Sequence, residues 1–140
     1  MSIDSAGLRV LQRPECVHLL RTATVGRVAL SHRALPMILP VHYRLVGDDS
    51  ITIETTAGST LHRATDRAVV AFEAEGPPGA TEPSWSVIVH GVATHRDREG
   101  HDGSRAGIAI SIEELSGREV IDLADVLMPR VTSASARWSP

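Results

Sequence analysis

The chain has 140 residues, of which 42% are apolar and 22% charged, and its formal net charge is -3 at pH 7. This length and composition predict a single domain, residues 1–140, with a core within residues 13–128 and a flexible tail at 129–140. The mild negative charge attracts neither nucleic acid nor an anionic membrane surface, so we expect neither partner.

All 14 basic residues are arginine, and the chain contains no lysine. Schiff-base chemistry and a Walker-type phosphate loop both require lysine, so both are excluded. Any bound phosphate must therefore be held by arginine, hydroxyl groups and backbone N–H groups.

The single cysteine and the hydropathy pattern limit the remaining possibilities. Cys16 can form no intrachain disulfide and no cysteine-based zinc site, and we expect it to be a small buried apolar residue. No apolar run approaches the roughly 18 residues of a membrane-spanning helix, and residues 1–13 do not resemble a secretion signal. These features predict a cytoplasmic protein.

The elements alternate strand patterns with three short helical patterns. Residues 13–21 predict a helix with Pro14 in its first turn, a second helix begins at Ser59, and residues 119–128 show helical spacing up to Pro129. Six segments predict strands: 24–31, 37–46, 51–55, 68–75, 85–96 and, after a polar loop at 97–107, a last one that carries Ile108, Ile110 and Ile112.

Two of these strands carry further information. Residues 68–75 are at first apolar on both faces, so something besides water must cover the outer face, and a subunit interface is one candidate. Gly91, inside the longest strand, predicts a bulge or a close backbone approach. Six short strands in meander order favour a mainly β fold, a small antiparallel barrel with short peripheral helices.

The turn after residue 55 is a candidate anion site. Thr55, Thr56, Ser59 and Thr60 supply hydroxyl groups around Gly58, and the N-terminus of the following helix would add a positive dipole end. The alternative is a plain strand-to-helix connection in which Ser59 is the N-cap.

Two other constellations are weaker. His95, Asp97, His101 and Asp102 superficially resemble metal ligands, but they lie in a predicted polar loop without rigid spacing, so we predict no metal site. The chain lacks a Gly-x-Ser-x-Gly elbow, so nothing supports an esterase triad.

Five stretches occur in the order seen in one known family. They are GRVALSHRALPMILPVHYRL, ITIETTAGSTL, AVVAFEAE, WSVIVHGVA and ISIEELSGREV, and together they span about residues 14 to 121. In this order they resemble the FMN-binding split-barrel proteins, or pyridoxamine 5'-phosphate oxidase-like family, and within it the small actinobacterial and nitroimidazole-resistance-like branch.

This resemblance implies a six-stranded split barrel that forms a homodimer, with FMN, or in some relatives a deazaflavin, in clefts at the subunit interface. It places the backbone of four residues beside the flavin ring: Leu39, Pro40, Val41 and His42. It places Thr55, Thr56, Ser59 and Thr60 at the ribityl chain and phosphate, with Trp85 and Ser86 contributed by the interface strand. Relatives commonly have lysine where this chain has Thr60, and Arg63, one helical turn further on, is the candidate replacement.

The implied function is that of a flavin-dependent oxidoreductase, in which the cofactor performs the chemistry and no side chain must act as a nucleophile or base. His42 could tune the flavin or donate a proton, but a solvated strand histidine is the simpler interpretation. The alternative function is a non-catalytic dimeric protein of the same fold, with a weakened or lost flavin site. Thr60 and the short polar segment after residue 96, where relatives often have a helix, favour this alternative.

Overall fold

The computed structural model describes residues 2–77, 84–96 and 103–121. Within these ranges the chain forms eight strands and two helices. In chain order they are β1 Arg9–Leu11, α1 Arg13–Thr22, β2 Val25–His32, β3 Leu35–Val46, β4 Ser50–Thr56, α2 Thr60–Ala64, β5 Ala68–Gly76, β6 Trp85–His95, β7 Arg105–Ser111 and β8 Glu114–Glu119.

Six of the strands close into an antiparallel barrel. Their order is β6, β5, β2, β3, β4 and β7, and β7 pairs again with β6. This confirms the predicted mainly β, six-stranded antiparallel barrel with short helices. The strands β8 and β1, which the sequence pattern did not predict, extend the sheet outward from β6.

The barrel is split along β6, because this strand changes partners near its middle. Residues 85–90 of β6 pair with β8, whereas residues 93–95 pair with β7. Gly91 lies between these two regions, and a Cβ atom at Gly91 would come within 1.6 Å of the Ser111 carbonyl oxygen. The predicted close approach at Gly91 is therefore confirmed, and its cause is the β7 backbone.

The core fills the barrel interior with alternate residues of each strand. In β5 the buried residues are Val70, Phe72 and Ala74. They form the inner of the two apolar faces that the sequence of this strand predicted. The ring of Tyr43 packs edge-on against Phe72 with ring centroids 4.7 Å apart, and its hydroxyl donates to the Leu20 carbonyl at 2.6 Å. This hydrogen bond joins α1 to the barrel.

The helix α1 covers the outer extension of the sheet. Its residues Cys16, as predicted, and Leu20 are buried, and a Cβ atom at Gly117 would lie 2.5 Å from the Cys16 sulfur. The glycine at position 117 in β8 is thus required for the close packing of α1 on β8.

Two boundaries differ from the sequence-based predictions. Glu119 ends β8 opposite Arg9 and Trp85, so the predicted helix cannot begin there, and residues 122–128 lie outside the described ranges. Residues 105–107, predicted as loop, begin β7 because they pair with residues 54–56 of β4. In both cases pairing with a neighbouring strand overrides the local sequence pattern. His95, which the predicted strand 85–96 includes, ends β6 opposite Ile108.

The two described helices are both short. In residues 2–77, 84–96 and 103–121, neither has the length and apolar composition that crossing a membrane requires. The predicted division into a core at 13–128 and a tail at 129–140 stays a prediction, since residues 122–140 lie outside the described ranges.

Candidate functional site

The four residues predicted to line a flavin ring lie in the middle of β3. Pro40 and His42 face outward and are exposed, whereas Leu39 is half-buried and Val41 is buried in the core. They pair with Val25 to Val28 of β2. The pairing of β3 with β4 ends at Tyr43 and Ile53. The backbone of Leu39–His42 is therefore not paired with β4 on the edge that faces away from β2.

The predicted phosphate turn connects β4 to α2. Ser59 caps the five-residue helix α2, and its Oγ accepts a hydrogen bond from the His62 N–H at 3.1 Å. The hydroxyl groups of Thr55 and Ser59 lie 3.1 Å apart and share a hydrogen bond. Gly58 has a φ of 80°, in the left-handed region that favours glycine, although nothing lies close to where a Cβ atom would be. The structure thus confirms that Ser59 is the N-cap of α2. The turn also brings Thr55 and Ser59 together.

The turn is packed from behind by two histidines. The buried His62 accepts a hydrogen bond from the Gly58 N–H at its Nδ1, at 3.0 Å, so its proton is on Nε2 when the ring is neutral. Its ring stacks on that of His95 with centroids 4.1 Å apart, and His95 Nε2 contacts the His62 carbonyl. Sequence reasoning missed His62, because a histidine in a short helix carries no signal of such a contact.

The remaining turn residues are more exposed. Thr56 lies opposite Arg105 at the end of the β4–β7 ladder, and the Ala57 N–H donates to the Ser104 carbonyl at 2.7 Å. Thr60 is half-buried as the first residue of α2, and Arg63 is exposed one turn later. The start of β7 therefore frames the turn.

A cleft of about 470 Å³ lies where β2, β3, β5 and the start of β6 meet, and we call it the Trp85 cleft. Its volume is within the range of small-molecule sites. It is lined by Val25, Gly26, Arg27, Pro40, Glu73, Glu75, Gly76, Pro77, Ser84 and Trp85. Of the predicted site residues it brings together Pro40 and Trp85, which are 45 positions apart in the sequence, and Ser86 lines an adjoining cleft that shares Trp85.

Trp85 packs between two neighbouring strands in this cleft. It is buried and lies opposite Gly76 of β5 and Glu119 of β8. A Cβ atom at Gly76 would come within 3.2 Å of the indole ring, so the glycine gives the ring its place. A fixed indole edge provides a flat apolar wall without a large loss of side-chain entropy on binding.

The charges of the Trp85 cleft form one connected group. Arg27 Nη1 lies 3.1 Å from Glu75 Oε1 and 3.5 Å from Glu73 Oε1. The Ser86 hydroxyl donates to Glu73 Oε2 at 2.8 Å. The neighbouring carboxylates raise the pKa of Arg27 above its ordinary value, and the hydrogen bond with Glu75 makes the largest contribution. Two carboxylates against one guanidinium leave the cleft with a negative balance, which disfavours a phosphate there.

An apolar face adjoins the Trp85 cleft on the outer side of the barrel. Cross-strand pairing aligns Ala29 with Ile38 on one side and with Ala71 on the other, and it aligns Val69 with Val92. Ile38 and Val69 are 68% and 77% exposed. Pro40, Arg27 and Glu73 of the cleft follow two residues away on the same strands and the same face. We call this surface the apolar face; its residues are Ala29, Ile38, Val69, Ala71, Ile88 and Val92.

The described part of the chain was also compared with the side-chain arrangements that bind metal ions. Across residues 2–77, 84–96 and 103–121, no three His, Cys, Asp or Glu side chains converge in a way that could hold a metal ion. Asp97, His101 and Asp102, which the sequence grouped with His95, lie outside these ranges.

Comparison with known proteins identifies a family and a curated relative. The family model described as pyridoxamine 5'-phosphate oxidase matches residues 12–109. The uncharacterized protein Rv0080 of Mycobacterium tuberculosis is 34% identical over 89 residues. That match covers 60% of this chain and 58% of the relative, so the chain spans little more than half of the relative's length.

Solved structures have the same fold over nearly their whole length. A FAD-binding protein from Mycobacterium smegmatis matches with a TM-score of 0.69 and 25% identity, over 81% of this chain and 99% of that one. A FAD-binding protein from Mesorhizobium loti matches with a TM-score of 0.67 and 24% identity, over 82% and 98%. A proposed 5-nitroimidazole antibiotic resistance protein from Bacteroides thetaiotaomicron shares the fold alone, with a TM-score of 0.67 and 9% identity, over 80% and 87%.

Proposed function

Because the chain belongs to the pyridoxamine 5'-phosphate oxidase family, we propose that it binds a flavin in the Trp85 cleft and acts as a flavin-dependent oxidoreductase. The observation that carries the proposal is the meeting of Pro40 and Trp85 in one cleft of about 470 Å³. The FAD-binding proteins of Mycobacterium smegmatis and Mesorhizobium loti, which share the fold, support a flavin as the ligand. FMN is the proposed form, and FAD and a deazaflavin are the competing ones.

The charges favour one orientation of the cofactor. The negative balance of Arg27, Glu73 and Glu75 suits the uncharged ring system better than the phosphate end. The phosphate is therefore assigned to the turn at Thr55–Thr60, where hydroxyl groups and Arg63 provide donors. This places the ring along Leu39–His42, with Trp85 and Ser86 on the interface side.

The proposed site is completed by a second copy of the chain. An exposed apolar surface of this kind in a single chain marks an interaction site. Because the apolar face continues into the Trp85 cleft, a second copy packed on this face would also wall the cleft. We therefore assign a homodimer with two equivalent flavin sites, in which neither half is complete alone.

The chain's residues would act by binding and shielding. When bound, the flavin supplies electron or hydride transfer. Trp85 and Pro40 present apolar surfaces that exclude water from one side of the ring, and Arg27 holds Glu73 and Glu75 in place at the rim. No general base or nucleophile is assigned, and a cytoplasmic location stays a prediction from the sequence.

One observation favours the alternative of a non-catalytic dimer with a weakened flavin site. The Ser59 hydroxyl and the Gly58 N–H, both candidates for phosphate contacts, are hydrogen-bonded inside the turn. Together with Thr60 in place of the lysine common in relatives, this leaves Arg63 as the single arginine of residues 55–63.

A titration separates the two functions and tests the phosphate assignment. Micromolar FMN, FAD and a deazaflavin are each added to the purified protein, with riboflavin as the ligand that lacks the phosphate. We expect Arg63→Ala to weaken FMN binding by about 1.5 to 3 kcal/mol, the value of a charged hydrogen bond, and to leave riboflavin binding unchanged.

The matched control is Arg67→Ala, which removes an equal charge just beyond α2. Equal losses for FMN and riboflavin would remove Arg63 from the phosphate site. Absence of binding by all the flavins would refute the oxidoreductase function and favour the alternative.

A further inference from the structure

A small pocket on the outer side of β4 and β7 collects arginine side chains from three separate parts of the chain. It is lined by Arg44, Thr52, Glu54, Arg96, Arg105, Ala106 and Gly107, and its volume is about 90 Å³. We call it the arginine pocket. Among the described residues, three guanidinium groups and one carboxylate line it, although the whole chain carries a net charge of -3.

The pairing of the strands explains how these side chains meet. Arg44 of β3 lies opposite Thr52 of β4, and Glu54 lies opposite Gly107 of β7. Arg96 follows β6, and its N–H donates to the Gly107 carbonyl at 2.8 Å. A Cβ atom at Gly107 would come within 3.2 Å of Arg96 Cβ, so the absent side chain at position 107 lets the arginine lie against β7.

The single carboxylate does not neutralise the pocket. Arg105 Nη2 lies 2.6 Å from Glu54 Oε2, and Glu54 is the only acidic side chain that the described residues contribute to the lining. Within the described ranges, Arg44 and Arg96 make no ion pair with a carboxylate. Arg96 Nη1 instead donates to the Thr52 hydroxyl at 3.4 Å, which leaves the hydroxyl proton of Thr52 available to a ligand.

We propose that the arginine pocket is a second anion site, which binds a phosphate group through Arg44, Arg96 and the Thr52 hydroxyl. A planar guanidinium presents paired N–H donors that match phosphate oxygens, and two of them flanking a hydroxyl satisfy a tetrahedral anion on several sides. The volume corresponds to about three water molecules, which suits one phosphate group and excludes a flavin ring. The site is distinct from the Trp85 cleft and does not depend on the flavin proposal.

Inorganic phosphate is the probe. It is titrated at constant ionic strength into isotopically labelled protein, and the backbone amides of Ala106 and Gly107 are followed by NMR. We expect saturable shifts in the low-millimolar range. Arg44→Ala and Arg96→Ala should each weaken binding by about tenfold or more, as expected for one lost charge-assisted hydrogen bond.

Two controls keep the result specific. Arg33→Ala removes the same charge from the β2–β3 turn, outside the pocket, and should leave phosphate binding unchanged. FMN binding should be the same in Arg44→Ala as in the parent protein. Shifts that do not saturate, or that survive both pocket substitutions, would overturn the proposal. A joint loss of phosphate and FMN binding would also overturn it, because the pocket would then belong to the cofactor site.

Discussion

Tyr43 is the residue whose burial has the clearest consequence for stability. It packs on Phe72 in the core and donates its hydroxyl proton to the Leu20 carbonyl. Burial raises its pKa from 10.0 to about 12. Between these values the folded protein keeps the phenolic proton that the unfolded chain loses, so unfolding releases a proton and rising pH favours it.

We predict that the free energy of unfolding falls by about 2 kcal/mol between pH 10 and pH 12, since a tenfold difference in proton affinity between the two states is worth about 1.4 kcal/mol and the full loss is reached only above both pKa values. Burial also raises the pKa of the Cys16 thiol above its ordinary value of 9.0, which adds a loss in the same direction. The absence of lysine removes the other side chain that commonly titrates in this pH range, and the single tyrosine makes its absorbance specific.

The measurement is denaturant unfolding at a series of alkaline pH values, combined with tyrosinate absorbance. Tyr43→Phe is the matched variant, because it keeps the ring and removes the ionisable group. It should lose about 1 kcal/mol at neutral pH and most of the decline above pH 10. An ordinary pKa near 10 in the folded protein would contradict the burial of the hydroxyl.

Among the elements, β6 determines how the barrel is built. Its first half pairs with β8 and its second half with β7, and the change of partner depends on the missing side chain at Gly91. Val92 strengthens this junction, since its N–H donates to the Ser111 hydroxyl at 3.0 Å. A side chain at position 91 would push β7 away from β6 and open the barrel.

We predict that Gly91→Ala lowers the free energy of unfolding by about 3 kcal/mol or more, because the clash is with backbone rather than with a mobile side chain. Gly7→Ala is the control: Gly7 has a φ of 82° and open space, so alanine there costs only about 1 kcal/mol of backbone strain. Chemical denaturation compares the two. Equal effects would mean that the β6–β7 junction tolerates a side chain.

The helices and strands also show which parts of the fold can be predicted from sequence patterns. The six barrel strands and α1 follow from apolar alternation and helical spacing, which are local properties. The tight turn between β2 and β3 does not, because Arg33 and Ala34 both adopt positive φ without the glycine or asparagine that signals such a turn. β8 was missed because its pairing with β6, rather than its composition, makes it a strand.

The same distinction applies to the candidate sites. Pro40 and Trp85 could be assigned from the ordered family stretches, and the structure brings them into one cleft. The charged rim of Arg27, Glu73 and Glu75 and the arginine pocket could not, because cross-strand register and strand order bring distant charges together. The register of the strands depends on the packing of the whole barrel, so it cannot be predicted from any single residue.

At the scale of the whole molecule, the apolar face is the feature that a single chain leaves unexplained. Ile38 and Val69 stand largely exposed on the outside of a barrel whose core is already filled. A second copy would bury them and close the Trp85 cleft in the same step. The dimer and the flavin site are therefore one claim rather than two.

The most direct test of that claim is sedimentation velocity with flavin present, recorded both in the ultraviolet and in the flavin's visible band. We predict one species of about twice the 15.0 kDa chain mass that carries one flavin per chain. Val69→Asp should give a monomer with little bound flavin, whereas Val46→Asp, an equal change at an exposed valine outside the apolar face, should leave the dimer intact. A monomeric parent protein, or a dimer that sediments without flavin, would contradict the account.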